Sequence, residues 1–251
     1  ESPIIVTYKG QKMTRGDRAI AWIEEYCRVP SGASTGKRVS LLPFQKDFLK
    51  RVYDNPRKTR RAILSIGRKN GKTAICAFLM LLHLVGPEAV RNGQLYSAAR
   101  STKQAGILFE LAAKTVLMSP KLKNLIHFVH GRSYMRCERY GTVYKSVANK
   151  PETAVGSEPV FVVHDELGQV KGPSDGLFDA LETGSSTVAD PISFVISTQA
   201  ATDGDLLSRL IDDILKPQDG KEPDPRLVVC LHTAPMDIDP FSEDALKAAN
   251  P

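Results

Sequence analysis

Short apolar runs punctuate the chain, and each ends in polar residues. Ala62 to Ile66, Val160 to Val163 and Ile192 to Ile196 are the clearest. Runs of this length read as strands buried on both faces. Gln94 to Ala98 and Arg226 to Leu231 predict two more. Helical spacing fills the gaps. An almost unbroken apolar stretch predicts a helix from about Lys72 to Val85. A stripe through Ala105, Leu108, Ala112 and Val116 predicts another from Lys103 to Met118. Further helices are predicted over 175–183 and 204–215, with Ser242 capping a short last one. About five strands alternating with helices predict an α/β fold, a mostly parallel central sheet flanked by helices on both faces.

The flanks read differently. Residues 1–40 predict a short strand and turn, a helix through about Cys27 capped by Thr14 or Asp17, and a loop over 30–38. Trp22 falls off that helix's stripe and is expected to pack on a neighbouring element. A further helix is predicted from Lys46 to about Tyr53. The core is expected to span 41–251. Within it, residues 125–147 read as a basic β insert carrying Arg132, Arg136, Arg139 and Lys145.

Chemistry enters where the first buried strand ends. Gly67-Arg68-Lys69-Asn70-Gly71-Lys72-Thr73 follows it and opens the apolar helix. Strand, glycine-containing turn, Gly-Lys-Thr and helix is the layout of a phosphate-binding P-loop. Amides at a helix N-terminus lack intrahelical partners, and the helix dipole favours an anion there. Lys72 would reach the β- and γ-phosphates and the Thr73 hydroxyl would hold Mg²⁺. The motif departs from the usual pattern, because its upstream glycine is Gly67, one place late. A second buried strand ends in His164-Asp165-Glu166. Ligands of open α/β sheets bind outside such strand ends. Asp165 would hold Mg²⁺, and Glu166 would act as general base on a water. A third ends in Ser197-Thr198-Gln199, polar groups placed to sense the γ-phosphate or that water. Gln45, after Pro43-Phe44, has two readings. Its amide can donate and accept at once, as adenine recognition requires, or it can cap a helix start.

Composition narrows the class only a little. Hydrophobic content of 42% and charged content of 25% are ordinary for a globular chain. No apolar run is long enough to cross a membrane. Four scattered cysteines form no Cys-x-x-Cys pair, which reads as free thiols in a reducing compartment. A net charge of +6 is compatible with a nucleic-acid partner. The chain starts at Glu1 and ends on Asn250-Pro251, so it reads as a piece of a longer protein.

The ordered set of motifs resembles the N-terminal ATPase domain of the large terminase subunit of tailed double-stranded DNA bacteriophages. The set is Leu42-Pro43-Phe44-Gln45, the loop 67–73, the stretch from Tyr96 to Ala105, Val160 to Glu166, and Ser197-Thr198-Gln199. The resemblance runs from about residue 15 to the end. The family's P-loop often carries an arginine where Arg68 stands. The resemblance implies a RecA-like P-loop NTPase fold and a motor that drives double-stranded viral DNA into a procapsid using ATP and Mg²⁺. It implies a homo-oligomeric ring, commonly a pentamer, docked on the portal, with a small terminase subunit as partner and the host cytoplasm as location. It gives Gln45 to adenine, Gly67, Arg68, Lys69, Asn70, Gly71 and Lys72 to the phosphates, and Thr73 and Asp165 to Mg²⁺. Glu166 becomes the base, Ser197-Thr198-Gln199 the coupling motif, and Arg68 a catalytic arginine that either stabilises transition-state charge in cis or senses the γ-phosphate. An arginine reaching a neighbour's site would come from Arg100, Arg132, Arg136, Arg139 or Arg209, and the sequence does not choose among them. The family's C-terminal nuclease domain finds no counterpart here, so nuclease activity is not expected.

Two rivals share parts of this equipment. A helicase-type translocase uses the same motifs but needs a second RecA-like domain. A non-catalytic nucleotide- or DNA-binding module would keep the fold without turnover, against which stand intact Lys72, Thr73, Asp165 and Glu166.

Overall fold

Alternation along three central strands sets up the layers. The computed structural model describes residues 2–67, 70–129, 133–148, 151–216, 222–233 and 242–251. A hairpin of β1 (Ile5–Tyr8) and β2 (Gln11–Thr14) leads into α1 (Arg15–Tyr26). The chain continues through α2 (Pro43–Tyr53), β3 (Arg61–Ser65), α3 (Lys72–Leu84), β4 (Gln94–Ala99) and α4 (Thr102–Met118). Then come α5 (Pro120–Lys123), β5 (His127–Phe128), β6 (Tyr134–Cys137), β7 (Thr142–Ala148) and β8 (Pro159–Asp165). The last described elements are α6 (Gly176–Ser185), β9 (Ile192–Ser197), α7 (Leu206–Leu215), β10 (Leu227–Leu231) and α8 (Glu243–Ala249).

The main sheet has the order β10-β3-β9-β8-β4-β7-β6-β5. The first six of these pair in parallel, and β6 and β5 extend the sheet antiparallel. Five alternating strands were expected; the sheet holds eight. The difference lies in 125–147, whose strands join the main sheet through the parallel pairing of β7 with β4. Met135, Cys137 and Tyr144 are fully buried there, so one face of this extension belongs to the core.

Side chains alternate between two layers, as a strand's period of two requires. Leu64, Phe161, Val163, Phe194 and Ile196 pack with α1, α2, α3 and α4. Ile63 and Val195 face α7, and Tyr96 and Val162 face α6. Helix α3 is buried almost all round, which explains its nearly continuous apolar sequence. Among the described residues no helix is long and apolar enough to cross a membrane.

The N-terminal elements are fastened to this core by charge and aromatic contact. Thr14, not Asp17, caps α1, accepting from Asp17 N at 3.0 Å. Arg15 and Arg18 pair with the buried Glu88 just beyond α3, at 2.5 and 2.8 Å. Trp22 is buried against the end of α3, its Cε2 2.9 Å from where a Cβ on Gly86 would stand. The cysteines at 27, 76, 137 and 230 are all free thiols and all buried.

Candidate active site

Four segments converge at the C-terminal edge of the sheet, from β3, β9, β8 and β4 in spatial order. The loop after β3 turns into α3 at Gly71, whose φ of 70° lies in the left-handed region. Glycine takes that conformation at no steric cost, and it aims the first amides of α3 outward as an anion cradle. Lys72 is buried at 7% exposure. Its Nζ donates to the carbonyls of Ile66 and Gly67 at 3.1 and 2.8 Å and lies 3.7 Å from Glu166 Oε1. Thr73, half-buried, stands beside it in the first turn of α3. Arg68 and Lys69 lie outside the described residues.

Strand β8 delivers the carboxylates. Asp165 is 8% exposed, and its Oδ1 is buried with no hydrogen-bond partner. Burial, and then the charge of Glu166, push its carboxyl up to about 7, against the opposing pull of Lys72. A buried carboxylate oxygen without a partner fits a cation ligand, and an all-oxygen donor set suits Mg²⁺. Among the described residues no group of three or more His, Cys, Asp and Glu side chains could hold a metal. A cation here would therefore complete its shell with phosphate and water, the usual habit of Mg²⁺.

Glu166 has φ 57° and ψ 40°, a left-handed conformation that costs a non-glycine residue roughly 1–2 kcal/mol. Its backbone N–H is tied to Ile196 O at 3.0 Å, so β9 helps impose the turn. Thr198 then holds the side chain: its hydroxyl and its backbone N–H donate to Glu166 Oε2 at 3.1 and 3.4 Å. Ser197, fully buried, accepts from Gly168 N at 2.8 Å and pins the segment after Glu166. Gln199 is exposed beside them. A small cavity opens against this corner, lined by Ala98, Arg100, Asp165, Glu166 and Phe178 among others. Cys76, one turn along α3, is sealed beneath. Burial, then Asp165 and Glu166, push its thiol far up, so it is unreactive.

Gln45 resolves in an unexpected way. Helix α2 starts at Pro43, three residues before the expected Lys46, because proline is preorganised for the first helical turn. Gln45 therefore sits in that turn, and its Oε1 accepts from Leu42 N at 2.9 Å. The capping reading is realised for one end of the amide. The other end, Nε2, lies 3.7 Å from where a Cβ on Gly71 would stand, so the side chain reaches the P-loop as well.

The arginine candidates scatter. Arg100 is bonded to the carbonyl of Gln169 beside the cavity. Arg136 lies 3.9 Å from Glu138, and Arg139 stacks over Tyr140. Both stand at the antiparallel end of the sheet. Arg209 is exposed on α7, and Arg132 lies outside the described residues.

Two features had no sequence signal. One is a buried triad behind β8, where His164 and Arg61 both pair with Glu182 of α6. The other is the end of α8 on the P-loop. Ala249 O accepts from Gly67 N at 3.4 Å, and Asn250 Oδ1 accepts from Asn70 Nδ2 at 2.7 Å. Both join residues more than a hundred positions apart, and neither has a local motif.

A parallel sheet with a Gly-Lys-Thr loop after one strand, and Asp-Glu at the tip of the next strand but one, defines a P-loop nucleoside triphosphatase. The family model for the ATPase domain of the terminase large subunit matches residues 43–216, and the chain belongs to that family. It is 46% identical over 239 residues to the terminase large subunit of Enterobacteria phage HK97, covering 95% of this chain and 46% of that protein. The crystal structure of the HK97 bacteriophage large terminase superposes with a TM-score of 0.88 at 45% identity, covering 95% of this chain and 48% of that one. The Thermus phage P74-26 large terminase ATPase domain shares the fold, with a TM-score of 0.56 at 16% identity over 77% of this chain and 80% of that one. The chain thus spans about half the length of the HK97 relative.

Proposed function

We propose that this chain is the ATP-hydrolysing motor domain of a DNA-packaging terminase, moving double-stranded viral DNA into a procapsid. The observation that carries this is the meeting of Lys72, at the start of α3, with Glu166 and Thr198, beyond the ends of β8 and β9, within a chain of this family. The α3 amides and Lys72 bind the β- and γ-phosphates. Gln45 lies where it can meet the base, and Arg68 belongs to the loop that faces the γ-phosphate. Thr73 and Asp165 are the residues to hold Mg²⁺, which when bound neutralises phosphate charge. Glu166 takes a proton from the attacking water as its oxygen bonds to the γ-phosphorus. The bond from that phosphorus to the β–γ bridging oxygen breaks, and ADP and phosphate leave. Thr198 keeps the Glu166 carboxylate aimed, and Ser197 ties its loop to β9, so the coupling motif feels the state of the base.

The working assembly is a homo-oligomeric ring, commonly of five, on the portal of a procapsid in the host cytoplasm, with a small terminase subunit as partner. Contact with DNA is through its phosphates and independent of sequence. One of Arg100, Arg132, Arg136, Arg139 and Arg209 completes a neighbour's site, a large rate contribution in related enzymes. The test is ATP turnover with and without procapsids and double-stranded DNA. Stimulation by both is expected. Turnover indifferent to procapsids, or undiminished in Glu166→Gln, would overturn the reading.

A further inference from the structure

An open groove lies at the far end of α3 from the P-loop. Val85 and Gly86, at the C-terminal end of α3, form part of its floor. Lys72 begins that helix, and thirteen residues at 1.5 Å each place the groove about 20 Å from the phosphate cradle. It belongs to the opposite pole of the molecule, away from this chain's own phosphate loop and carboxylates.

Its walls come from two sources. The hairpin β1–β2 and α1 give Tyr8, Lys9, Trp22 and Tyr26. Helix α5 and the turn after β6 give Lys121, Leu122, Arg139 and Tyr140. The first group precedes residue 43, where the match to the ATPase family model begins. Residues outside the catalytic core therefore build half of a concave surface on it.

The chemistry of the groove is specific. Lys121 Nζ stands 5.1 Å over the Tyr26 ring, Lys9 Nζ 5.6 Å over the same ring, and Arg139 Cζ 5.6 Å over Tyr140. Glu25 pairs with Lys9. Lys121 and Arg139 form no ion pair among the described residues. Leu122 and Val85 give an apolar floor. Nucleic-acid bases need open aromatic faces to stack on. Here the Tyr26 and Tyr140 rings already carry the protein's own cations. A duplex backbone would meet the cations with its phosphates but has nothing apolar to set against Leu122 and Val85. An apolar floor with unpaired cations on its rim matches an apolar side chain flanked by carboxylates.

We propose that this groove is a docking site for an acidic protein segment, one carrying an apolar or aromatic anchor between Asp and Glu residues. The proposal does not depend on the motor reading, because it concerns the other pole of the fold.

Trp22 is the chain's single tryptophan and lines the groove, so its emission reports occupancy directly. The probe is an acetylated, amidated Asp-Glu-Phe-Leu-Glu-Asp peptide. The comparison arms are a Lys-Lys-Phe-Leu-Lys-Lys peptide and a 20-base-pair DNA duplex. A saturable change in Trp22 emission with the acidic peptide alone is expected. Lys121→Glu with Lys9→Glu should weaken it by about tenfold or more, because two positive rim charges become negative. ATP turnover should be unchanged in that variant. Lys121→Ala provides a gentler change, expected to weaken binding severalfold if the double variant unfolds. The proposal is overturned by an emission that does not respond to the acidic peptide. It is also overturned by an equal response to the basic peptide or the duplex, or by undiminished affinity in the variants.

Discussion

Thr198 grips one oxygen of the Glu166 carboxylate from two donors, its hydroxyl at 3.1 Å and its own N–H at 3.4 Å. The other oxygen is left facing Lys72 at 3.7 Å. A carboxylate held on one side and open on the other is aimed. Thr198→Val keeps the shape and removes the hydroxyl. Small misplacements of a catalytic group cost up to about a hundredfold, so kcat should fall roughly 10- to 100-fold with KM for ATP little changed. Thr198→Ser should restore most of it. Steady-state kinetics checks this. A change confined to KM would place Thr198 in nucleotide binding instead.

Behind the same strand, Glu182 is the shared partner of His164 and Arg61. Burial works against its charge, but the His164 hydrogen bond and the Arg61 guanidinium outweigh that and hold the carboxyl far below the usual range. Removing one partner of a buried ionic set strands the others, at a cost of about 3–5 kcal/mol. Glu182→Gln is expected to lose stability of that order in urea unfolding. Replacing all three residues with apolar ones of similar volume should recover most of it.

The pH dependence of stability should carry the mark of His83. The ring is 4% exposed, bonded to Tyr53 Oη at 2.8 Å and stacked on Phe161 at 3.8 Å. Burial holds it down to about 3 in the fold, against about 6.5 when unfolded. Between these values only the unfolded chain takes up the proton. Stability is therefore full above pH 6.5 and falls as pH drops toward 3, by about 1.4 kcal/mol per unit. Unfolding free energies from urea titration at pH 7.5 and 5.0 should differ by about 2 kcal/mol more in the wild type than in His83→Gln. Equal losses in both proteins would clear His83 of this role.

Gly67 explains itself through the far end of the chain. A Cβ there would lie 2.5 Å from Asn250 Oδ1 and 3.2 Å from Ala249 O. Gly67→Ala should loosen the end of α8 rather than unfold the domain. Faster amide exchange over 243–249 is expected, with a global midpoint shift of about 1 kcal/mol or less, since the clash meets a movable side chain. Asn250→Gly in the same chain should restore slow exchange. Unchanged exchange in Gly67→Ala would show that the contact does not hold α8.

What could be read from sequence was what a local rule governs. The strands β3, β8 and β9 were visible because burial on both faces leaves an unbroken apolar run, and their polar tips marked the candidate site. The glycine shift at 67 looked like a flaw in a phosphate motif. Its physical reason is a contact about 180 residues away, which no window along the chain contains. Gln45 was split between two readings because an amide has two ends, and the two ends face different partners. The sheet was undercounted because β6 and β7 carry charged outer faces and resemble a surface hairpin. Only pairing with β4 shows that their inner face is core.

Strands β3 and β8 share no hydrogen bond with each other; β9 lies between them and bonds both. The P-loop and the acidic pair are thus brought into line by the ninth strand in chain order. A nascent chain that has not yet emerged past residue 197 has its phosphate loop and its base, but no piece to set the distance between them. Such non-local parallel pairing is slow to form. The site is consequently not set until β9 has paired with both of its neighbours, so its geometry is a property of the sheet's centre and not of either loop.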